Sequence, residues 1–392
     1  MEKIPKNPLL SCASFEKTQG EDLPSVLDVG AAQYVNRGSL ALALVFRHME
    51  LMAGEEVLLP AYHCIAMVEP LLWAGGTPVF YKIREDLSPD LQDVESRITP
   101  ATRALVVPHY FGFHQDTAVI RRFCDSHGLL MIEDCAHAFF GRIHGHPIGF
   151  FGDYAIGSAW KFFPVSEGAC VVSSRHDLSG LVLQEGGWFF EAKSLFNTLE
   201  YALEYDRLGR LNTLVRGMMG LKNRVWNMRA THPPSGGTSG QSATETPGGF
   251  TGFEGRRVFQ KNSRWSQWVM SRTSVPRLVG HRRANYLRLS ERLGKVAGCR
   301  PLFSQLPEGV APQVFPLVME EPEVVFPKLK QAGVPVIRFG EYLWGGMTRG
   351  LCAVSENYSR RVFQLPCHQD LTQVELDWMS DQMLQALPGG GA

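Results

Sequence analysis

Residues 103–134 read RALVVPHYFGFHQDTAVIRRFCDSHGLLMIED, and the change of period inside this stretch decides the fold class. It opens on a short apolar run, RALVVPHYFG, that reads as a strand. From Asp116 to Gly128 the apolar residues recur at helical spacing, and from Leu129 a second apolar run ends on the acid pair Glu133 and Asp134. Strand, helix and strand at these lengths make a βαβ unit, whose strands run parallel and are covered on both faces. Ligands of such sheets gather at the carboxyl ends of the strands, where this acid pair stands.

The alternation continues outward. Upstream, GSLALALVFRHMELM (38–52) reads as a helix, EVLLP (56–60) as a strand, MVEPLLWAG (67–75) as a helix and TPVFYKI (77–83) as a strand; downstream, DYAIGSA (153–159) is a short strand. Beyond residue 175 the character changes. Residues 186–229 read as helical and aromatic-rich, with Arg207, Arg210, Arg216, Lys222, Arg224 and Arg229 and no acid from 207 to 229. THPPSGGTSGQSATETPGG (231–249) has too few apolar residues to pack and reads as a flexible loop. A second lobe follows, with helices expected near 276–294, 324–333 and 371–387 and strands at PQVFPLVM (312–319) and VPVIRF (334–339). The expected organisation is an N-terminal arm (1–24), a large domain (25–230), a flexible loop (231–252) and a smaller C-terminal α/β domain (253–392).

Composition narrows the function classes. The 392 residues are 44% hydrophobic and 20% charged, with 39 basic residues balancing 39 acidic ones, so no global charge draws the chain to nucleic acid. The eight cysteines are scattered without a C-x-x-C pair, as expected of reduced thiols. Neither a signal peptide nor a run of ~20 apolar residues is evident, which points to the cytoplasm. The basic, aromatic stretch 186–229 leaves two readings open: helices that cover the sheet, or a peripheral contact with an anionic membrane surface.

Three features carry chemistry. In VNRGSLALAL, Gly38 and Ser39 open a helix, which suits either a phosphate on free N–H groups or simple N-capping. In LLMIEDCAHA, Asp134 ends a buried strand, with His137 three residues on; such an acid either faces a cation in the ligand crevice or caps the next turn. In GSAWKFFPVSEGACVV (157–172), Lys161 stands between Trp160 and Phe162; it either snorkels to solvent or is desolvated into a nucleophilic amine. A phosphate turn, an acid and a lysine in this order describe a pyridoxal 5′-phosphate site.

VLLPAYHCIAMVEPLLWAGGTPVF, VPHYFGF, IEDCAHAFFG and GDYAIGSAWKFFPVSEGACVV together resemble the DegT/DnrJ/EryC1/StrS family of aminotransferases. RRANYLRLSERLG and FQLPCHQDLTQVEL resemble its C-terminal lobe. The resemblance implies a fold type I pyridoxal phosphate transferase, α/β, with a mainly parallel seven-stranded sheet and a smaller C-terminal domain. It implies a homodimer that transfers an amino group from glutamate or glutamine to a keto or aldehyde acceptor such as a sugar nucleotide. By motif, Lys161 is the imine-forming lysine and Asp134 the partner of the ring nitrogen. His137 lies near the ring hydroxyl, and Gly38, Ser39 and Ser158 hold the phosphate.

The chain departs from the family pattern at three places. Cys64 stands in PAYHC where many members have an aromatic that stacks on the cofactor, with His63 or Tyr62 as substitutes; SEGA replaces the usual G-E-G-G; and no G-x-N-Y-R stretch is evident between 250 and 275. Other readings remain: an acceptor that is a lipid or lipid-linked, a relative that does not transaminate, or a catalytically silent regulatory homologue. His109 is either a crevice residue or a packed core histidine. Arg338 either holds a substrate carboxylate or lies on the surface. The His and Cys spacings do not suit a metal, and none is expected.

Overall fold

The computed structural model describes residues 3–20, 22–229 and 253–388, for 221–229 the backbone alone. The loop expected at 231–252 lies outside the described residues. Seven strands build the first sheet: β1 (Gln33–Val35), β2 (Glu56–Pro60), β3 (Thr77–Tyr81), β4 (Thr102–Pro108), β5 (Leu130–Cys135), β6 (Tyr154–Ser158) and β7 (Ala169–Val172). Their order is β1-β7-β6-β5-β4-β2-β3. Neighbours from β3 to β6 are parallel, and β7 runs antiparallel to both β6 and β1. Val57, Leu58, Leu59, Leu105, Val106, Val107, Met131 and Ile132 are fully buried, as a parallel sheet covered on both faces requires.

Helices α1 (Gly38–His48), α2 (Ile65–Trp73), α3 (Leu91–Ser96) and α4 (Thr117–His127) connect these strands. The local sequence sets their ends. Asp116 caps α4 by accepting from the Val119 N–H, and Gly128 closes it in the left-handed conformation at φ 65°. The parallel crossovers leave the carboxyl ends of β4, β5 and β6 beside the amino end of α1, and that arrangement places the site.

Helices α5 (Gly187–Glu204) and α6 (Leu211–Arg229) occupy the aromatic, basic stretch. Ala202, Leu208, Val215 and Met219 turn inward onto a second apolar cluster, while Trp188, Leu211, Leu214 and Met218 are exposed. Among the described residues, no helix is long and apolar enough to cross a membrane.

The second lobe contains α7 (Arg264–Arg272), α8 (Val275–Leu293), α9 (Pro322–Ala332), α10 (Ala353–Arg361) and α11 (Gln373–Ala386). Its sheet comprises β8 (Cys299–Pro301), β9 (Val314–Met319), β10 (Ile337–Arg338) and β11 (Val362–Pro366), in the antiparallel order β8-β9-β11-β10. VPVIRF yields only a two-residue edge strand. The central partner of β9 is β11, whose buried Gln364 and terminal Pro366 interrupt the apolar run that would have marked it. The arm is stitched to this lobe: the Leu9 N–H donates to Asp370 Oδ2 at 3.2 Å, and His368 Nε2 lies 3.0 Å from the Pro5 carbonyl.

Candidate active site

At the amino end of α1, Arg37 occupies the cap position without a side-chain cap bond. The Ala41 N–H is the first to reach back, to the Arg37 carbonyl at 3.0 Å. The N–H groups of Gly38, Ser39 and Leu40 therefore have no acceptor within the helix. Ser39 lies inside the helix, so it is not the cap that one reading of the sequence made it. A methyl group built on Gly38 would stand 3.9 Å from Ser158 Cβ and 4.0 Å from Ala136 Cβ. The helix end, the end of β6 and the turn after β5 thus converge on one small, positively polarised cradle.

Asp134, near the end of β5, is 7% exposed and accepts from the Ala136 N–H at 2.9 Å. Burial raises its pKa; the Ala136 bond and the charges of Lys161 and His109 oppose the rise. Lys161 ends a short 3-10 turn, Ala159–Lys161, directly after β6. Burial lowers its pKa, while Cys64 and Asp134 pull the other way. The lysine therefore sheds its proton more readily than one in water, beside an acid that lacks a full complement of solvent. His137 lies nearly parallel to Phe111 at 5.9 Å and edge-on to Phe339 at 5.1 Å. Burial, then the Lys161 charge, holds it well below the ordinary histidine range, so a neutral imidazole faces the lysine. Phe111 sits at φ 60°, a strained conformation for a bulky residue, and its carbonyl accepts from the Gln313 N–H at 2.9 Å.

Of the three neighbouring residues considered for the face of the cofactor, two are packed elsewhere. His63 is fully buried and turned away from the lysine: its ring stacks on Phe80 at 4.7 Å, Nδ1 donates to the Ala61 carbonyl and Nε2 accepts from the Trp344 N–H at 3.0 Å. Burial lowers its pKa to about 4. Cys64 remains at the pocket, where its thiol feels burial first and then Lys161 and Asp134. Tyr62 is boxed in by Tyr110, Phe339 and Tyr358, with its hydroxyl buried and unpartnered.

Arg338 lies over Phe326 at 4.2 Å and donates to the Pro322 carbonyl at 3.1 Å. It braces the second lobe, and its neighbour Phe339 is the one that packs against His137. His109 is a core histidine. Its Nδ1 accepts from the Gln115 N–H at 3.1 Å, and its Nε2 donates to Glu133 Oε2 at 3.0 Å. His109, Glu133 and Cys135 bring donor atoms within 4.8 Å of one another. The other Glu133 oxygen takes the Gly152 N–H at 2.6 Å, so this acid is committed to internal bonds.

Two polar groups that the sequence did not flag stand behind the lysine. Arg282, fully buried on α8, donates to the Lys161 carbonyl at 2.8 Å, and Gln369 donates to the Phe162 carbonyl at 2.9 Å. Glu167, in SEGA, takes hydroxyl bonds from Ser194, Ser263 and Ser266, and burial raises its pKa. Only the helical period of RRANYLRLSERL hinted at any of this, by turning Arg282 toward the same face as Tyr286 and Leu289.

The model of the DegT/DnrJ/EryC1/StrS aminotransferase family matches residues 14–182. GDP-perosamine synthase of Vibrio cholerae is 35% identical over 151 residues, 38% of this chain and 41% of that protein. The dTDP-4-dehydro-2,3,6-trideoxy-D-glucose 4-aminotransferase of Saccharopolyspora spinosa is 26% identical over 362 residues, 90% of this chain and 84% of that protein. Among solved structures, S. venezuelae DesV superposes with a TM-score of 0.62 at 21% identity, covering 93% of this chain and 87% of that one; the likeness is one of fold.

Proposed function

The chain belongs to the DegT/DnrJ/EryC1/StrS aminotransferase family, and from that premise we propose that it is a pyridoxal 5′-phosphate-dependent aminotransferase. It moves an amino group from glutamate or glutamine to the keto or aldehyde carbon of a sugar nucleotide. The observation that carries this reading is the placing of Asp134 at the end of one strand and of Lys161 just after its parallel neighbour, close enough that each charge counteracts the pKa shift burial imposes on the other.

The residues fit the cofactor. The uncapped N–H groups of Gly38 and Ser39, with Ser158 beside them, suit a phosphate. Asp134 suits a protonated ring nitrogen, and Cys64 and His137 line the space between. When bound, pyridoxal phosphate supplies an aldehyde that takes up the amine and a ring that draws electrons from the carbon losing its proton. Asp134 would hold a proton on the ring nitrogen. Lys161, desolvated and prone to the free-base form, is the nucleophile at rest. With its amine free, Lys161 Nζ would take a proton from the donor α-carbon and later give one to the acceptor carbon. His137, neutral, offers a hydrogen bond without adding a charge that would compete with Lys161.

Cytoplasmic residence and a homodimer with sites at the subunit interface belong to the same proposal. The test is the absorption spectrum of the purified protein with added pyridoxal phosphate, before and after borohydride. A yellow band that reduction fixes onto Lys161, found by peptide mapping, is expected; a protein that stays colourless overturns the reading.

A further inference from the structure

The proposed chemistry needs Lys161 to leave its resting bond and return to the same point in each cycle, so what holds its backbone matters as much as its amine. The turn that carries it is short, Ala159–Lys161, and ends in the sequence Phe162-Phe163. Its two outgoing carbonyls are taken by side chains of the second lobe. Arg282 Nη2 donates to the Lys161 carbonyl at 2.8 Å, and Gln369 Nε2 donates to the Phe162 carbonyl at 2.9 Å. The two clamps are themselves joined, because Arg282 Nε donates to Gln369 Oε1 at 2.9 Å.

The rest of Arg282 is equally committed. Its Nη1 reaches the Pro312 and Gln313 carbonyls at 3.0 and 3.1 Å, and the guanidinium lies 4.6 Å from the Phe162 ring centre. A fully buried cation normally faces a carboxylate. Here the bonded acceptors are backbone carbonyls and one amide, and the Asp370 carboxylate acts only from beyond hydrogen-bond contact, its own partners being Arg277 at 3.1 Å and the Leu9 N–H at 3.2 Å. Burial lowers the Arg282 pKa to about 10, so it keeps its charge at neutral pH. Gln313, one of the residues held by Arg282, also donates its N–H to the carbonyl of Phe111, whose ring packs on His137. One guanidinium thus ties the lysine turn and the His137 wall to the same point of the second lobe.

We propose that Arg282 and Gln369 are positioning residues that fix the peptide groups following Lys161, and thereby set the reactivity and return of its amine. The proposal rests on the aminotransferase reading for its role in turnover, but the clamp can be tested without it. A planar fork that serves several carbonyls at once is not replaced by an ammonium, so Arg282→Lys should loosen the turn while keeping the charge. Gln369→Ala removes the Phe162 bond from the other side and serves if the arginine variant fails to fold.

Two measurements decide the matter. In cofactor-free protein, competitive acetylation followed by mass spectrometry reads the pKa and nucleophilicity of Lys161. Both variants should move that pKa back toward the ordinary lysine value as water reaches the turn, with a fall in labelling rate at neutral pH of about tenfold. With pyridoxal phosphate and donor present, stopped-flow absorbance should show the lysine-linked band recovering about tenfold more slowly and kcat falling with little change in donor KM. A drop in thermal stability with an unchanged Lys161 labelling profile in both variants would reduce the clamp to packing and overturn the proposal. If the wild-type protein never forms the yellow band, the aminotransferase reading falls, and the labelling arm still decides the clamp.

Discussion

Two buried polar regions meet at Lys161 and differ in how fully their polar groups are partnered. In the pocket beneath the amino end of α1, Lys161, Asp134 and His137 have protonation equilibria displaced by burial, and Asp134 takes its bond from its own turn. In the seam between the lobes, Arg282, Gln369 and His63 have their polar atoms directed at specific carbonyls, amides and a backbone N–H. Buried polar groups are normally satisfied. A group left short of partners, with a displaced pKa, marks a place that awaits a ligand; a saturated group marks a joint. The pocket is therefore expected to respond to substitution in rate, and the seam in stability and geometry.

The sharpest way to break this contrast is Lys161→Ala. Turnover should fall by ~10³-fold or more, because both the imine and the proton carrier are lost, while thermal unfolding shows the fold intact. An active variant would dissolve the pocket as a catalytic region. Asp134→Asn comes next. Removing the carboxylate withdraws the 1–3 pKa units of support that a close anion gives a protonated nitrogen, so activity should drop roughly 10- to 1000-fold while cofactor still binds. Steady-state rates together with the bound-cofactor spectrum check both halves of that statement.

The seam is tested by His63. Its folded pKa, about 4, lies below the ordinary 6.5, so the unfolded chain takes up a proton that the folded chain refuses. Stability is therefore full above pH 6.5 and is lost as pH falls toward 4, with His63 accounting for about 2 kcal/mol between pH 7 and pH 5. His63→Gln keeps a donor and an acceptor but does not titrate, and should flatten the acid limb of denaturant-unfolding stability by that amount. The smallest change in rate is expected from Arg338→Ala: kcat/KM for the amino donor within about twofold of wild type, with stability lower by roughly 1 kcal/mol through the lost packing on Phe326. A large loss of donor affinity would move Arg338 from the frame of the second lobe into the pocket.

The contrast also explains what could be read from the chain in advance. The pocket residues lie within contiguous stretches at strand ends and at the start of α1: 38–39, 134–137 and 158–161 each carry their own local signal, and the βαβ alternation places all three at the same sheet end. The parallel sheet was legible for the same reason, since Leu58, Val106 and Ile132 sit in unbroken apolar runs. The seam is built from pairs far apart in the chain, such as Lys161 with Arg282, Phe162 with Gln369 and His63 with Trp344. No local period announces such pairs. His63 and Arg338 were misplaced because adjacent residues on extended backbone point to opposite sides: Cys64, not His63, faces the lysine, and Phe339, not Arg338, reaches His137. Strand β11 was hidden by Gln364, a polar residue at its centre that only the completed second lobe buries.

The stitching of the arm to residues 368–370 has a consequence for how the protein is made. Gln369, which holds the Phe162 carbonyl, stands between His368 and Asp370, and these two are bonded to the Pro5 carbonyl and the Leu9 N–H, 363 and 361 residues earlier. At a synthesis rate of ~5–20 residues per second, the arm waits on the order of 20 to 70 s for its partners to emerge. The seven-stranded sheet, complete at residue 172, can condense on the ribosome well before then. Nascent chains arrested once β7 has cleared the exit tunnel should therefore show a protected sheet core to brief proteolysis but a Lys161 turn that is still cut, and protection of that turn should appear only once residue 370 has cleared the tunnel as well.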